Sequence, residues 1–247
     1  MKHHLQAVVF FLLSSLTSCS YYNQVNYTTE NVRVNPASSV DTIILTIISP
    51  YKTALSAQMD EVIGYCDTDM RRMKPESALG NLICDVLLKE GKETYNKKID
   101  FAVYNYGGIR IDAIYEGKLT RGKIFELLPF ENFGVVVTLD ASSTLQLIQK
   151  IIDEGGWPVG GISFFIDGGK AHNIMINNHP FDTTAIYNVI MNDYMANGGD
   201  ELDFLLGKPQ EFLGATVRNI VLDYIEKETA KGNAITSKPD GRIKYAE

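Results

Sequence analysis

Asn105-Tyr106-Gly107-Gly108-Ile109-Arg110 follows residues 99–104, a run of β-branched, aliphatic and aromatic side chains broken by the single polar Asp100. Such a run reads as a strand buried on both faces, ending at a turn. Paired glycines permit positive φ and let a ligand approach the main chain without meeting a Cβ. Arg110 offers a planar fork of donors to phosphate or carboxylate. For an isolated Gly-Gly-x-Arg a plain tight turn with a solvated arginine is the better account; features further along decide for a site.

Working outward, residues 76–90 carry Leu79, Leu82, Ile83, Val86 and Leu87 at i, i+3, i+4, i+7 and i+8, the buried stripe of a helix. Gly80 within it lowers helix propensity and marks close packing on a neighbour. Residues 42–48 read as a β-branched strand, 51–59 as a short helix and 62–65 as a second strand. After the Gly-Gly turn, residues 120–128 read as a helix N-capped by Thr120. Residues 133–139 follow as an apolar strand, then a helix capped by Ser142 or Ser143 with Leu145, Ile148, Ile151 and Ile152 as its stripe. Strands are expected at 162–166, 171–176 and 186–191. A last helix over 216–231 has Val217, Ile220, Val221, Tyr224 and Ile225 on one side. This irregular alternation, with short turns between strand pairs, predicts an α+β fold in which helices pack on a mixed sheet.

The chain has 247 residues, 45% hydrophobic and 21% charged, enough for one large or two small domains with a real core. A net charge of −7 without any lysine or arginine block argues against a nucleic acid polymer as partner, so phosphate contacts are local. At the N-terminus, Lys2, His3 and His4 precede the apolar residues 5–16, too short to span a bilayer and suited to a secretory signal. Leu16-Thr17-Ser18-Cys19 resembles the lipobox of bacterial lipoproteins. Residues 1–19 are therefore expected to be a lipoprotein signal peptide, with Cys19 lipidated and the protein anchored to a membrane by its acyl chains. Ser20 next to it leans toward the outer membrane of a Gram-negative cell, with the domain at its periplasmic face or surface. Residues 20–40, rich in Asn, Tyr, Thr and Ser, are a tether, and order begins near Asp41, so the folded domain is 41–247. Of the other cysteines, Cys66 and Cys84 can pair in an oxidising compartment or stay free; the place of Cys84 in an apolar stripe favours free thiols.

Two motifs beyond the central turn carry chemistry. In Pro129-Phe130-Glu131-Asn132-Phe133 the proline fixes the backbone ahead of Phe130 and can hold that ring out of the core as a platform for a flat ligand. Tyr194-Met195-Ala196-Asn197-Gly198-Gly199-Asp200 supplies another aromatic, a glycine pair and a carboxylate able to accept two ribose hydroxyl protons. An arginine fork, two aromatics and an acceptor are the parts for holding a nucleoside or nucleotide.

In order along the chain, Gly80-Asn81-Leu82-Ile83-Cys84-Asp85, then 105–110, Leu128-Pro129-Phe130 and 194–200 resemble the C-terminal, substrate-binding domain of the 5′-nucleotidase and UDP-sugar hydrolase family, over about residues 41–247. The resemblance implies that Phe130 and Tyr194 sandwich a base, the second position being more usually Phe. It implies further that Arg110 contacts phosphate or ribose, that Asn105, Gly107, Gly108 and Asp200 complete the substrate site, and that Asn132 touches the base. The family also places arginines shortly before its Gly80-equivalent helix. Met73 falls at that position here; either Arg72, with Arg71 beside it, substitutes through a small shift, or the second phosphate contact is missing.

What the family carries in a preceding domain is a two-metal phosphatase centre. Beyond the signal, His172 and His179 are the histidines of this chain. Asn178-His179 resembles a metallophosphatase Asn-His-acid signature but is followed by Pro180. No catalytic residue, metal ligand or cofactor is therefore expected within the chain; divalent ions are expected in a partner phosphatase. The expected function is nucleotide recognition in periplasmic nucleotide hydrolysis and catabolism, beside a separately encoded metallophosphatase. A stand-alone nucleotide- or nucleoside-binding lipoprotein and a self-sufficient hydrolase are the alternatives.

Overall fold

The structure is a computed structural model and describes residues 29, 30, 41–94 and 98–246. The expected signal peptide, Cys19 and, apart from Thr29 and Glu30, the expected tether lie outside the described residues. The chain falls into two units, residues 1–47 and 48–247. In chain order the elements begin with α1 (Thr42–Met59), β1 (Val62–Cys66), β2 (Met70–Arg71), α2 (Ala78–Thr94) and β3 (Phe101–Val103). A 3-10 turn at Tyr106–Gly108 leads to β4 (Ala113–Ile114), β5 (Gly117–Thr120), α3 (Arg121–Leu127), β6 (Phe133–Asp140) and α4 (Ala141–Asp153). Then come β7 (Val159–Gly160), β8 (Ile162–Asp167), β9 (Lys170–Ile176), β10 (His179–Pro180), β11 (Ile186–Asn192) and α5 (Asp193–Ala196). The chain closes with β12 (Gln210–Thr216), α6 (Val217–Ala230) and β13 (Ile243–Tyr245).

The central sheet has the order β12-β6-β11-β3-β7. Strands β11 and β3 are parallel and the other neighbours antiparallel. A second sheet, β10-β9-β8-β13, is likewise mixed. Every residue of β3 is buried, which explains its filled-in apolar run. Phe101 and Val103 face one core with Val135, Val137, Val189, Met191, the α4 residues Leu147, Ile148 and Ile151, and Phe164 of the second sheet. Ala102 and Tyr104 face another, with Val136, Ile190, Leu79 and Ile83 of α2, and Val221 and Ile225 of α6. The sheet is thus the middle of three layers, and the fold is α+β with a mixed sheet, as the sequence predicts.

Three local expectations fail. Residues 42–48 are the first part of α1, not a strand, and residues 51–59 continue the same helix. The Asp41 carboxylate accepts the Ile43 and Ile44 amides at 2.9 and 3.2 Å, and this cap outweighs the weak β preference of isoleucine and threonine. The cap of α4 is Asp140, which accepts the Ser143 amide at 2.8 Å, so neither Ser142 nor Ser143 fills that role. On α4, Leu145 is exposed and Leu147 takes its place in the core. Strands β12 and β13 carry mixed polar and apolar residues and give no clear strand signal in the sequence.

Other expectations hold. Thr120 caps α3, accepting the Lys123 amide at 3.2 Å. A Cβ on Gly80 would stand 2.7 Å from the Pro158 ring, so the glycine does mark close packing of α2 on its neighbour. Cys66 and Cys84 are both buried and free. Burial, with Asp67 adding to it, pushes the Cys66 thiol up to about 11, and burial raises Cys84 further, which disfavours the thiolate form of both.

Candidate functional site

Topology delivers three strand ends to one edge of the central sheet. Parallel β3 and β11 end there, and antiparallel β6 begins there, with Asn192 opposite Gly134. The segments that leave these ends carry Asn105, Phe130 and Tyr194. Crevices beyond the carboxyl ends of parallel strands are recurrent binding places. Here Asn105, Gly107, Gly108, Arg110, Phe130, Asn132, Tyr194 and Asp200 line one cavity of about 430 Å³. Eight of the nine substrate-site residues expected from sequence therefore converge, from segments as much as 95 positions apart.

Arg72 is the ninth, and it is not brought to the cavity. Its guanidinium donates to the Ile109 carbonyl at 2.5 Å and to Asp112 at 2.7 Å, and lies 4.6 Å from the Tyr106 ring centroid. Those bonds brace the turn from outside.

The glycine pair works differently from the sequence expectation. Neither Gly107 nor Gly108 has positive φ; with Tyr106 they form the 3-10 turn. What Gly108 supplies is close approach, since a Cβ there would meet the Tyr104 ring at 2.6 Å and Asn105 Oδ1 at 2.9 Å. A Cβ on Gly107 would meet nothing nearer than 3.9 Å, and this residue leaves the cavity wall low. Arg110 is exposed, with a long 3.4 Å bond from its guanidinium to the Gly107 carbonyl, and its Cζ is 5.7 Å from the Phe130 ring centroid.

In the second motif Asn192 caps α5, accepting the Met195 amide at 2.8 Å. Asn197 ends that helix, and Gly198 takes the left-handed φ of +88° that a turn after a helix needs. Gly199 lies against the Tyr194 ring, where a Cβ would come within 2.5 Å. Asp200 and Glu201 follow with φ of 54° and 63°, a strained pair that turns the Asp200 carboxylate back toward Tyr194. The two aromatic walls, Phe130 and Tyr194, are 45% and 46% exposed, too open for core residues.

A polar chain joins these parts. Buried Asn192 donates from Nδ2 to Asn105 Oδ1 at 2.9 Å, and Asn105 Nδ2 donates to Asp200 Oδ2 at 2.7 Å. Tyr194 Oη then donates to Asp200 Oδ1 at 2.9 Å. This last bond raises the Tyr194 phenol above its usual value. Burial does the same more strongly for Tyr104, whose hydroxyl is hydrogen-bonded to Asn192. Asn192 is not among the residues to which the sequence points. Its signal was present, an asparagine directly before a helix, but its reach to Asn105 depends on the parallel pairing of β3 and β11.

Among the described residues no three His, Cys, Asp or Glu side chains stand together as a metal cage. His172 lies on β9 and His179 follows the Asn177-Asn178 turn, whose residues have φ of 48° and 63°. Both histidines are exposed on the second sheet. The described residues thus do not fit a two-metal centre.

The family model for the 5′-nucleotidase C-terminal domain matches residues 62–206, more than half of the chain, and the chain belongs to that family. It is 28% identical over 219 residues to a trifunctional nucleotide phosphoesterase of Bacillus subtilis, covering 80% of this chain and 15% of that protein. To a 5′-nucleotidase of Vibrio vulnificus it is 24% identical over 233 residues, covering 90% of this chain and 41% of that one. A solved 5′-nucleotidase precursor from Thermus thermophilus superposes with a TM-score of 0.71 at 25% identity, over 84% of this chain and 44% of the other. The chain therefore spans less than half the length of these relatives.

Replacing Asn192 with alanine removes the α5 cap and the partner of Asn105 from a fully buried position. With 1–3 kcal/mol for buried groups left unsatisfied and about 1 for a cap, Asn192→Ala should cost about 2–4 kcal/mol in urea unfolding. A loss below about 1 kcal/mol would mean that the polar chain contributes nothing to the fold.

Proposed function

We propose that this chain is the nucleotide-recognition component of a 5′-nucleotidase-type hydrolytic system. It clamps a base between Phe130 and Tyr194, presents Asp200 and Asn105 to the ribose and Arg110 to the phosphate, and sets Asn132 against the base edge. The observation that carries this reading is the convergence of half-exposed aromatics, arginine fork and carboxylate in one cavity of nucleoside size. Kinship with named 5′-nucleotidases supports the same substrate class.

The chemistry of hydrolysis is assigned to a separately encoded metallophosphatase that supplies divalent ions, since uncatalysed phosphate-ester hydrolysis is too slow for positioning alone to suffice. Recognition would take place in the cell envelope, with the domain held at the membrane by lipid on Cys19.

Stacking on an aromatic is worth about 1–3 kcal/mol per base, so Phe130→Ala or Tyr194→Ala should weaken nucleoside monophosphate binding about 5- to 150-fold in calorimetry. Unchanged affinity in both variants would remove the clamp. Arg110→Ala should weaken nucleotides more than nucleosides, while equal losses would place the arginine on the ribose.

The purified chain supplied with Mg²⁺, Mn²⁺, Zn²⁺ or Co²⁺ should not turn over nucleoside monophosphates. Activity should appear on adding the metallophosphatase and fall with Arg110→Ala. Metal-dependent turnover by the chain alone, lost in His172→Ala or His179→Ala, would instead establish a self-sufficient hydrolase.

Cys19→Ser should shift the protein out of the membrane fraction or leave it unprocessed, and should abolish labelling by a fatty-acid probe. Equal labelling of wild type and variant would refute the lipid anchor.

A further inference from the structure

Arg218 is 5% exposed, and buried arginines are rare unless their forks are in use. It is the second residue of α6, beyond the residues matched by the family model. One terminal nitrogen donates to the Leu128 carbonyl at 3.1 Å and, more weakly, to the Phe130 carbonyl at 3.5 Å. The other donates to the Glu131 carboxylate. Its Cζ lies 4.2 Å from the Phe125 ring centroid, and its Nε has no hydrogen-bond partner among the described residues. The residue before it, Val217, donates its amide to the Asn132 carbonyl at 2.8 Å, giving a partner to one of the free N–H groups at the start of a helix.

Four of the five positions from Leu128 to Asn132, all but Pro129, are thus held by the first two residues of one helix. Proline at 129 stiffens the loop but cannot decide whether the Phe130 ring turns inward or toward the cavity; the bonds to the carbonyls on either side can. We infer that Arg218 is a positioning residue for base recognition: by gripping Leu128, Phe130 and Glu131 it holds the Phe130 ring at the cavity wall. This rests on the clamp reading above.

The test uses two substitutions. Arg218→Lys keeps the charge but loses the planar fork. Glu131→Gln removes a charged acceptor from a side chain that is 74% exposed, where folding is little affected. Hydrogen exchange should quicken at the amides of residues 130–132 and stay unchanged at 135–139. Adenosine and uridine should bind more weakly to Arg218→Lys, by as much as the about 5- to 150-fold loss of Phe130→Ala. In a Phe130→Ala background neither substitution should add a further loss.

Unchanged loop exchange and affinity in folded Arg218→Lys would overturn the inference, as would a loss that persists in full without the Phe130 ring. If Arg218→Lys does not fold, the same measurements on Glu131→Gln decide. If the wild type binds neither nucleoside, the clamp reading fails, and loop exchange still decides whether Arg218 holds the loop.

Discussion

The carboxamide of Asn105 is the bond on which the site depends. It accepts from Asn192 with its oxygen and donates to Asp200 with its nitrogen, so that a residue after β3, one at the end of β11 and one after α5 share a single buried group. In a water-poor interior such a chain is worth having only if each member is satisfied, because an orphaned amide there is costly. The register of β11 against β3 is thereby converted into the position of a carboxylate. A slip by one residue would turn Asn192 to the other face of the sheet and cut the chain.

Around that bond, both aromatic walls are supported by helix beginnings. Asn192 caps the turn that carries Tyr194, and Asp193 next to it accepts the Phe133 amide at 3.0 Å, tying that turn to the end of the Phe130 loop. The start of α6 holds the same loop from its other side. The first N–H groups of helices lack intrahelical partners and are natural anchor points for nearby chain. This protein uses them to fix segments that have no regular structure of their own.

Much of this was legible in the sequence because the strongest signals are local. The filled-in apolar run before Asn105, the stripe on α2 and the Thr120 cap each follow from a few neighbouring residues. The set of cavity residues comes instead from the resemblance of four ordered motifs to the 5′-nucleotidase C-terminal domain. What escaped is of two kinds: local caps and contacts that compete with the pattern of residue types, and partners far along the chain. Asp41 and Asp140 outcompeted the strand and cap assignments nearby, and Gly108 proved to serve a contact with Tyr104 rather than a positive φ. Arg218 belongs to none of the motifs, and Arg72, the substitute suggested by family spacing, is spent on Ile109 and Asp112. β12 and β13 lack the uniform apolar character by which the inner strands announce themselves.

The tyrosine at position 194 has one more effect. Its hydroxyl joins the aromatic ring to Asp200, whose other oxygen is already held by Asn105. A carboxylate has lone pairs to spare beyond these two bonds and can still accept from a ligand. Its rotation, however, is arrested within the protein itself. The entropy of ordering that side chain belongs to folding and not to association, so a ligand meets a preorganised acceptor and keeps more of its contact energy as affinity.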